Sequence, residues 1–100
     1  MTDQQTLETT FAPVEQLVQE RGQTHGAFSD HARYAQQLKA IINRANAERH
    51  TREQPILDVQ QRESLEMIAH KIGRILAGDA SFQDHWDDIA GYAHIANKKF

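Results

Sequence analysis

One hundred residues, 39% hydrophobic and 25% charged, make a single domain with room for one modest core. A net charge of −3 with histidine neutral gives no basic field to recruit nucleic acid, and zero cysteines exclude disulfides and thiolate metal sites. No apolar run approaches the ~18 residues of a membrane span, and the opening MTDQQTLETT has no signal-peptide character, so a soluble, cytoplasmic protein without a membrane partner is expected.

Residues 1–10 are polar and read as a flexible N-terminus ahead of a domain over 11–100. In FAPVEQLVQERG, Pro13 suits a first helical turn, Val14, Leu17 and Val18 share a face, and Gly22 can end the helix. RGQTHGAFSD, with two glycines and a Ser-Asp pair, reads as a loop. A second helix starts at Ser29 or Asp30, carries Phe28, Ala32, Ala35, Leu38, Ile42 and Ala45 at spacings of three and four, and runs to about residue 47. The polar ERHTREQP that follows reads as a linker. Asp58 and Gln61 have capping-box spacing for a third helix, whose stripe is Leu65, Ile68, Ile72, Ile75 and Leu76 and whose stop is Gly78. The fourth begins near Ser81, buries Phe82, Trp86, Ile89, Ala93 and Ala96, and ends on Lys98 and Lys99, which suit the negative end of its dipole. No segment alternates with period two. The expected fold is all-α, a compact bundle of about four helices. Gly91, inside the fourth helix, costs roughly 1 kcal/mol relative to Ala. It makes more sense if another helix approaches closely, which suggests homo-oligomerisation through helices three and four.

On a wheel of roughly 100° per residue, His85 falls at the centre of the apolar stripe of helix four, and Asp88 and Tyr92 on its shoulder. His85 is either a core imidazole satisfied by a hydrogen bond or a ligand-orienting group. Trp86 is most simply a core anchor, and Asp84 and Asp87 suit the first-turn dipole. A carboxylate at the core boundary such as Asp88 needs a partner or a metal. Glu63, Met67, Lys71 and Arg74 form one stripe on helix three, which is either a solvated face or, through Lys71 and Arg74, a phosphate-binding one. Glu63 and Glu66 with Asp84 and Asp88 could hold Mg²⁺ between two helices, although Glu66 and Asp87 point away from the predicted core. His25 sits in the loop THGAF, while His31, His50, His70 and His94 read as surface histidines. No histidine spacing makes a zinc site, and no phosphate loop or nucleophile motif is present.

RGQTHGAF, RESLEMIAHKIGRILAG and DHWDDIAGYA resemble a family of small α-helical proteins encoded by phages and prophages, over about residues 20–97. That family in turn resembles, more distantly, the all-α nucleoside triphosphate pyrophosphohydrolases of the MazG type. Those enzymes oligomerise and hold Mg²⁺ on paired acidic motifs. By this resemblance Glu63 and Glu66 stand at the first motif, and the second falls on Asp84–Asp87 or His85–Asp88. In the frame ending at Asp88, His85 replaces a metal-binding Glu, a departure that puts catalysis in doubt. The resemblance implies a nucleotide pocket with Lys71 and Arg74 for phosphate, Trp86 or Tyr92 for a base, and His25, His85 and Asp88 for orientation.

Three functions are then open. The first is a phage-encoded protein, acting in the cytoplasm of a bacterial host, that binds a nucleotide or nucleotide-derived molecule and so sequesters a host defence signal. The second is a Mg²⁺-dependent pyrophosphohydrolase with Glu63, Glu66, Asp84 and Asp88 as metal ligands. The third is a helical inhibitor of a host protein.

Overall fold

Four α-helices make up the described chain: α1 (Asp3–His25), α2 (Phe28–Thr51), α3 (Val59–Ala77) and α4 (Gln83–Lys98). The computed structural model describes the backbone of residues 3–98 and the side chains of 13–97, so residues 1 and 2, Lys99 and Phe100, and the side chains of 3–12 and of Lys98 lie outside it. Element boundaries differ from the sequence reading in five places. α1 starts at Asp3, within the segment read as a polar N-terminus, and Pro13 stands inside the helix instead of in its first turn. α1 continues through Gly22 to His25, which shrinks the predicted loop to Gly26–Ala27. α2 starts at Phe28 with Ala27 at the N-cap and no side-chain cap, instead of at Ser29 or Asp30. It also runs four residues past 47, because ERHT remains helix-competent until Glu53 turns to a positive φ of 59° ahead of Pro55. α4 starts two residues late, since Asp79 receives the Ser81 N–H and holds the preceding turn.

α3 is the central element. Its capping box is made as the sequence indicates: the Asp58 carboxylate accepts the Gln61 N–H at 2.8 Å, and the Gln61 side chain accepts the Asp58 N–H at 3.1 Å. α2 packs antiparallel on one side, with Asn43 donating to Glu66 near one end and Gly73 set against His31 and Ala35 near the other. A Cβ on Gly73 would lie 3.0 Å from the His31 carbonyl oxygen, so this crossing admits only glycine without movement. α4 packs on the other side, also antiparallel. Among the described residues α2 and α4 make no close approach to one another.

The α1–α2 turn docks on the end of α3 through glycine backbone. Gly26 has φ of 78°, and a Cβ there would collide with the Ala77 carbonyl, while one on Gly78 would collide with Gly26. The Asp79 N–H donates to the Thr24 carbonyl at 2.8 Å, satisfying one of the orphan acceptors at the end of α1. The rest of α1 runs away from the bundle, and the molecule measures 66 × 29 × 26 Å. No helix of the described chain is long and apolar enough to cross a membrane. The interior is unusually polar: Ala35, Ala69 and Ile75 are the buried apolar side chains, against buried His31, Ser64, Lys71 and His85. Gly91 meets no described neighbour, so the close helix expected beside it does not come from within this chain.

Candidate functional site

The extension of α1 to His25 creates the site. It brings Glu20, Arg21, Thr24 and His25, successive along one helical face, over the C-terminal half of α3 and the first turns of α4. Between these three helices lies a cavity of about 380 Å³, into which Lys71, Arg74, Phe82, Asp84, His85 and Asp88 also project.

His85 is buried at the floor. Its Nε2 lies 3.3 Å from the Thr24 carbonyl, which can only accept, so Nε2 carries the ring proton. The imidazole thereby caps the C-terminal end of α1 and welds α4 to it. The His25 ring stands edge-on to His85 at 4.6 Å between centroids, and Phe82 closes the other side at 4.9 Å. Thr24 Oγ1 fixes His25 through Nδ1 at 2.6 Å. Burial first, and then the electrostatic effect of Arg74, His85, Lys71 and Arg21, brings the His25 imidazole down to about 4, so it is neutral near pH 7. The cavity lining balances the cations Arg21, Lys71 and Arg74 against the carboxylates Glu20, Asp84 and Asp88.

Lys71 and Asp88 are joined at 2.9 Å, the lysine buried and the carboxylate half exposed. The hydrogen bond from Lys71 holds the Asp88 carboxyl below its usual range. The partner that Asp88 requires is therefore a lysine. Arg74 is the member of the pair expected on α3 that has no ion-pair partner among the described residues. Its Nε is buried and has no hydrogen-bond partner among them, and burial together with nearby Arg21 lowers its pKa against the opposing effect of Asp88.

His25, Lys71, Arg74, His85 and Asp88 thus converge on one cavity, joined by Asp84 at its rim. Trp86 does not enter it: the indole N–H donates to the Ala80 carbonyl at 2.8 Å and half the side chain faces solvent. Tyr92 opens on a different depression, shared with Glu63 and Ile95. Glu66 faces α2, where it accepts from Asn43 at 3.2 Å and meets Arg62 at 3.7 Å. The pair Glu63 and Glu66 is therefore split between the two flanks of α3. Among the described residues, no group of three or more His, Asp or Glu side chains is placed to hold a metal ion. The acidic set, divided between the two flanks of α3, does not fit Mg²⁺.

Two histidines read as surface residues are not. His31 is 4% exposed, and the rings of His31 and His70 meet edge-on at 4.4 Å in the α2–α3 interface. Burial, then Arg74, lowers both, His70 to about 4. Sequence reading also missed Arg21 and Thr24, by placing them in a loop. The signal was there: Arg21, Thr24 and His25 stand at i, i+3 and i+4, helical spacing that continues the Leu17, Val18 face.

A family described as "Domain of unknown function (DUF6378)" matches residues 9–99. The chain belongs to this family. No curated protein and no solved structure matches the chain. The DUF6378 match covers α1 from residue 9 on, the whole of α2, α3 and α4, and every residue of the cavity.

Proposed function

We propose that this DUF6378 protein is a phage-encoded binding protein for a nucleotide or nucleotide-derived small molecule, which it holds without turning over and thereby keeps from host defence. The observation that carries the reading is Arg74. It lines the cavity beside Arg21 and His25 with no ion-pair partner among the described residues, and a phosphate offers a guanidinium paired acceptors. Lys71, already neutralised by Asp88, supports the cavity wall more than it attracts an anion. The resemblance to the MazG-type enzymes supports the same ligand class. The separation of Glu63 and Glu66 from Asp84 and Asp88 favours binding over metal-dependent hydrolysis.

The test mixes purified protein with a nucleotide panel and Mg²⁺, then analyses filtrate and denatured protein by mass spectrometry. An intact nucleotide released only on denaturation is the expected result. Monophosphate and pyrophosphate in the filtrate would replace this reading by the pyrophosphohydrolase one, and no retained or consumed nucleotide would remove both.

The apolar surface supports self-association. The chain exposes 7482 Å², against roughly 5,800 Å² for a compact monomer of its mass. Val14, Leu17 and Val18 form an uncovered stripe on α1, and Leu76 and Phe28 are exposed on the elements it docks against. A second copy is the proposed cover, and light scattering should give a mass of two or more chains. A monomer in solution would instead leave this stripe to a host protein.

A further inference from the structure

A second cavity, of about 320 Å³, opens on the other side of Arg74, between α1, the start of α2 and α3. Arg21, His25 and Arg74 line both cavities, so the two share a wall of two guanidinium groups and a neutral imidazole. Their chemistry differs. The second is bounded by Val18, the exposed Phe28 ring, and the edge-packed rings of His31 and His70. Its volume lies in the ~300–1,000 Å³ range of small-molecule pockets.

Nε2 of His31, on a side chain 4% exposed, and Nε of Arg74 are buried without a hydrogen-bond partner among the described residues, but neither presents surface to the cavity, so they select no occupant. What the cavity offers is the exposed Phe28 ring and Val18 on one side and the Arg21 and Arg74 side chains on the other. A flat ring with acceptors on its edge suits both, its face on the aromatic wall and its edge toward the guanidinium donors. We propose that the two cavities form one bipartite site: the phosphate end of the ligand sits between Arg21, Arg74 and His25, and a flat heteroaromatic ring attached to it enters the second cavity against Val18 and Phe28. This rests on the anion-binding reading of the first cavity and adds the ligand's second half.

The position of Gly22 allows a direct test. It lines the second cavity and not the first, and a Cβ there meets nothing within 4 Å. Gly22→Leu therefore fills the proposed ring site from a helical position that tolerates a side chain. Calorimetric titration would use inorganic pyrophosphate, ribose 5-phosphate and the four common ribonucleoside 5′-monophosphates. In the unaltered protein at least one nucleotide should bind roughly tenfold or more tighter than ribose 5-phosphate. In Gly22→Leu that nucleotide should fall to the level of ribose 5-phosphate, with pyrophosphate within about twofold of its original affinity and the melting temperature unreduced. Phe28→Ala, at an exposed position, should remove part of the same advantage. Equal affinity for nucleotides and ribose 5-phosphate, or an advantage that survives Gly22→Leu, overturns the bipartite site while leaving the anion site standing. If the unaltered protein binds none of the probes, both readings fall together.

Discussion

The two ends of α3 are built differently. At the N-terminal end, Asp58 and Gln61 close a capping box, Asn46 accepts the Leu57 N–H at 2.7 Å, and Arg49 donates to the Pro55 carbonyl at 2.7 Å. Its polar contacts pair with one another, except for the buried Asn43 Oδ1. At the C-terminal end, glycine backbones pack in contact, four histidines and two arginines crowd together, and His31 and Arg74 keep buried nitrogens unpaired. The contrast teaches that pairs close in sequence hold the N-terminal end, whereas close backbone approach and packed rings hold the C-terminal end, where cavities gather titratable side chains.

The largest way to break this contrast is Gly26→Ala. It adds a Cβ against the Ala77 carbonyl at a positive φ, so it should cost about 3 kcal/mol or more, since the turn cannot stay docked on α3. Urea unfolding should show it, with anion binding lost in the same variant. A loss under 1 kcal/mol would mean that the glycine contact does not hold the site.

Next comes pH. His25 and His70 have folded pKa values of about 4 against 6.5, so the unfolded chain takes up protons first as pH falls. Their stabilising contribution is complete above pH 6.5, is lost between about 6.5 and 4, and levels off below. For two partly exposed groups the loss should be on the order of 2 kcal/mol. Asp88, also depressed, adds its own loss only at still lower pH, below the ordinary carboxylate range. Chemical denaturation at a series of pH values reads both windows, and His70→Gln should flatten the upper one. A bound phosphate should raise His25 and narrow that window, which sharpens the difference between the two ends.

The smallest effect belongs to the paired end. Asp58→Ala removes a cap and should cost about 1 kcal/mol, with pyrophosphate affinity unchanged. A change in affinity would show that the two ends are coupled through α3.

How much of this was legible varies by residue. The capping box at Asp58 was readable because it is a contact three residues apart, decided by local geometry. Lys71, Arg74, His85 and Asp88 were readable as candidates because helical periodicity puts each beside an apolar stripe. Arg21 was not, since Gly22 and Gly26 made the segment look like a loop; in the fold the helix passes through Gly22 because its last carbonyl is taken by Asp79 and His85, 55 and 61 residues away. His31 and His70 looked like surface residues because their burial depends on the close α2–α3 crossing at Gly73, which periodicity does not encode.

The sequence by itself determined four helices, an all-α bundle and one polar stripe on α3, because these follow from propensity, capping and spacing within one segment. Only the tertiary structure decided that Lys71 meets Asp88 while Arg74 stays unpaired, that Glu63 and Glu66 part company, and that two cavities flank one arginine. Those outcomes turn on which faces of different helices meet, and that is settled by long-range packing.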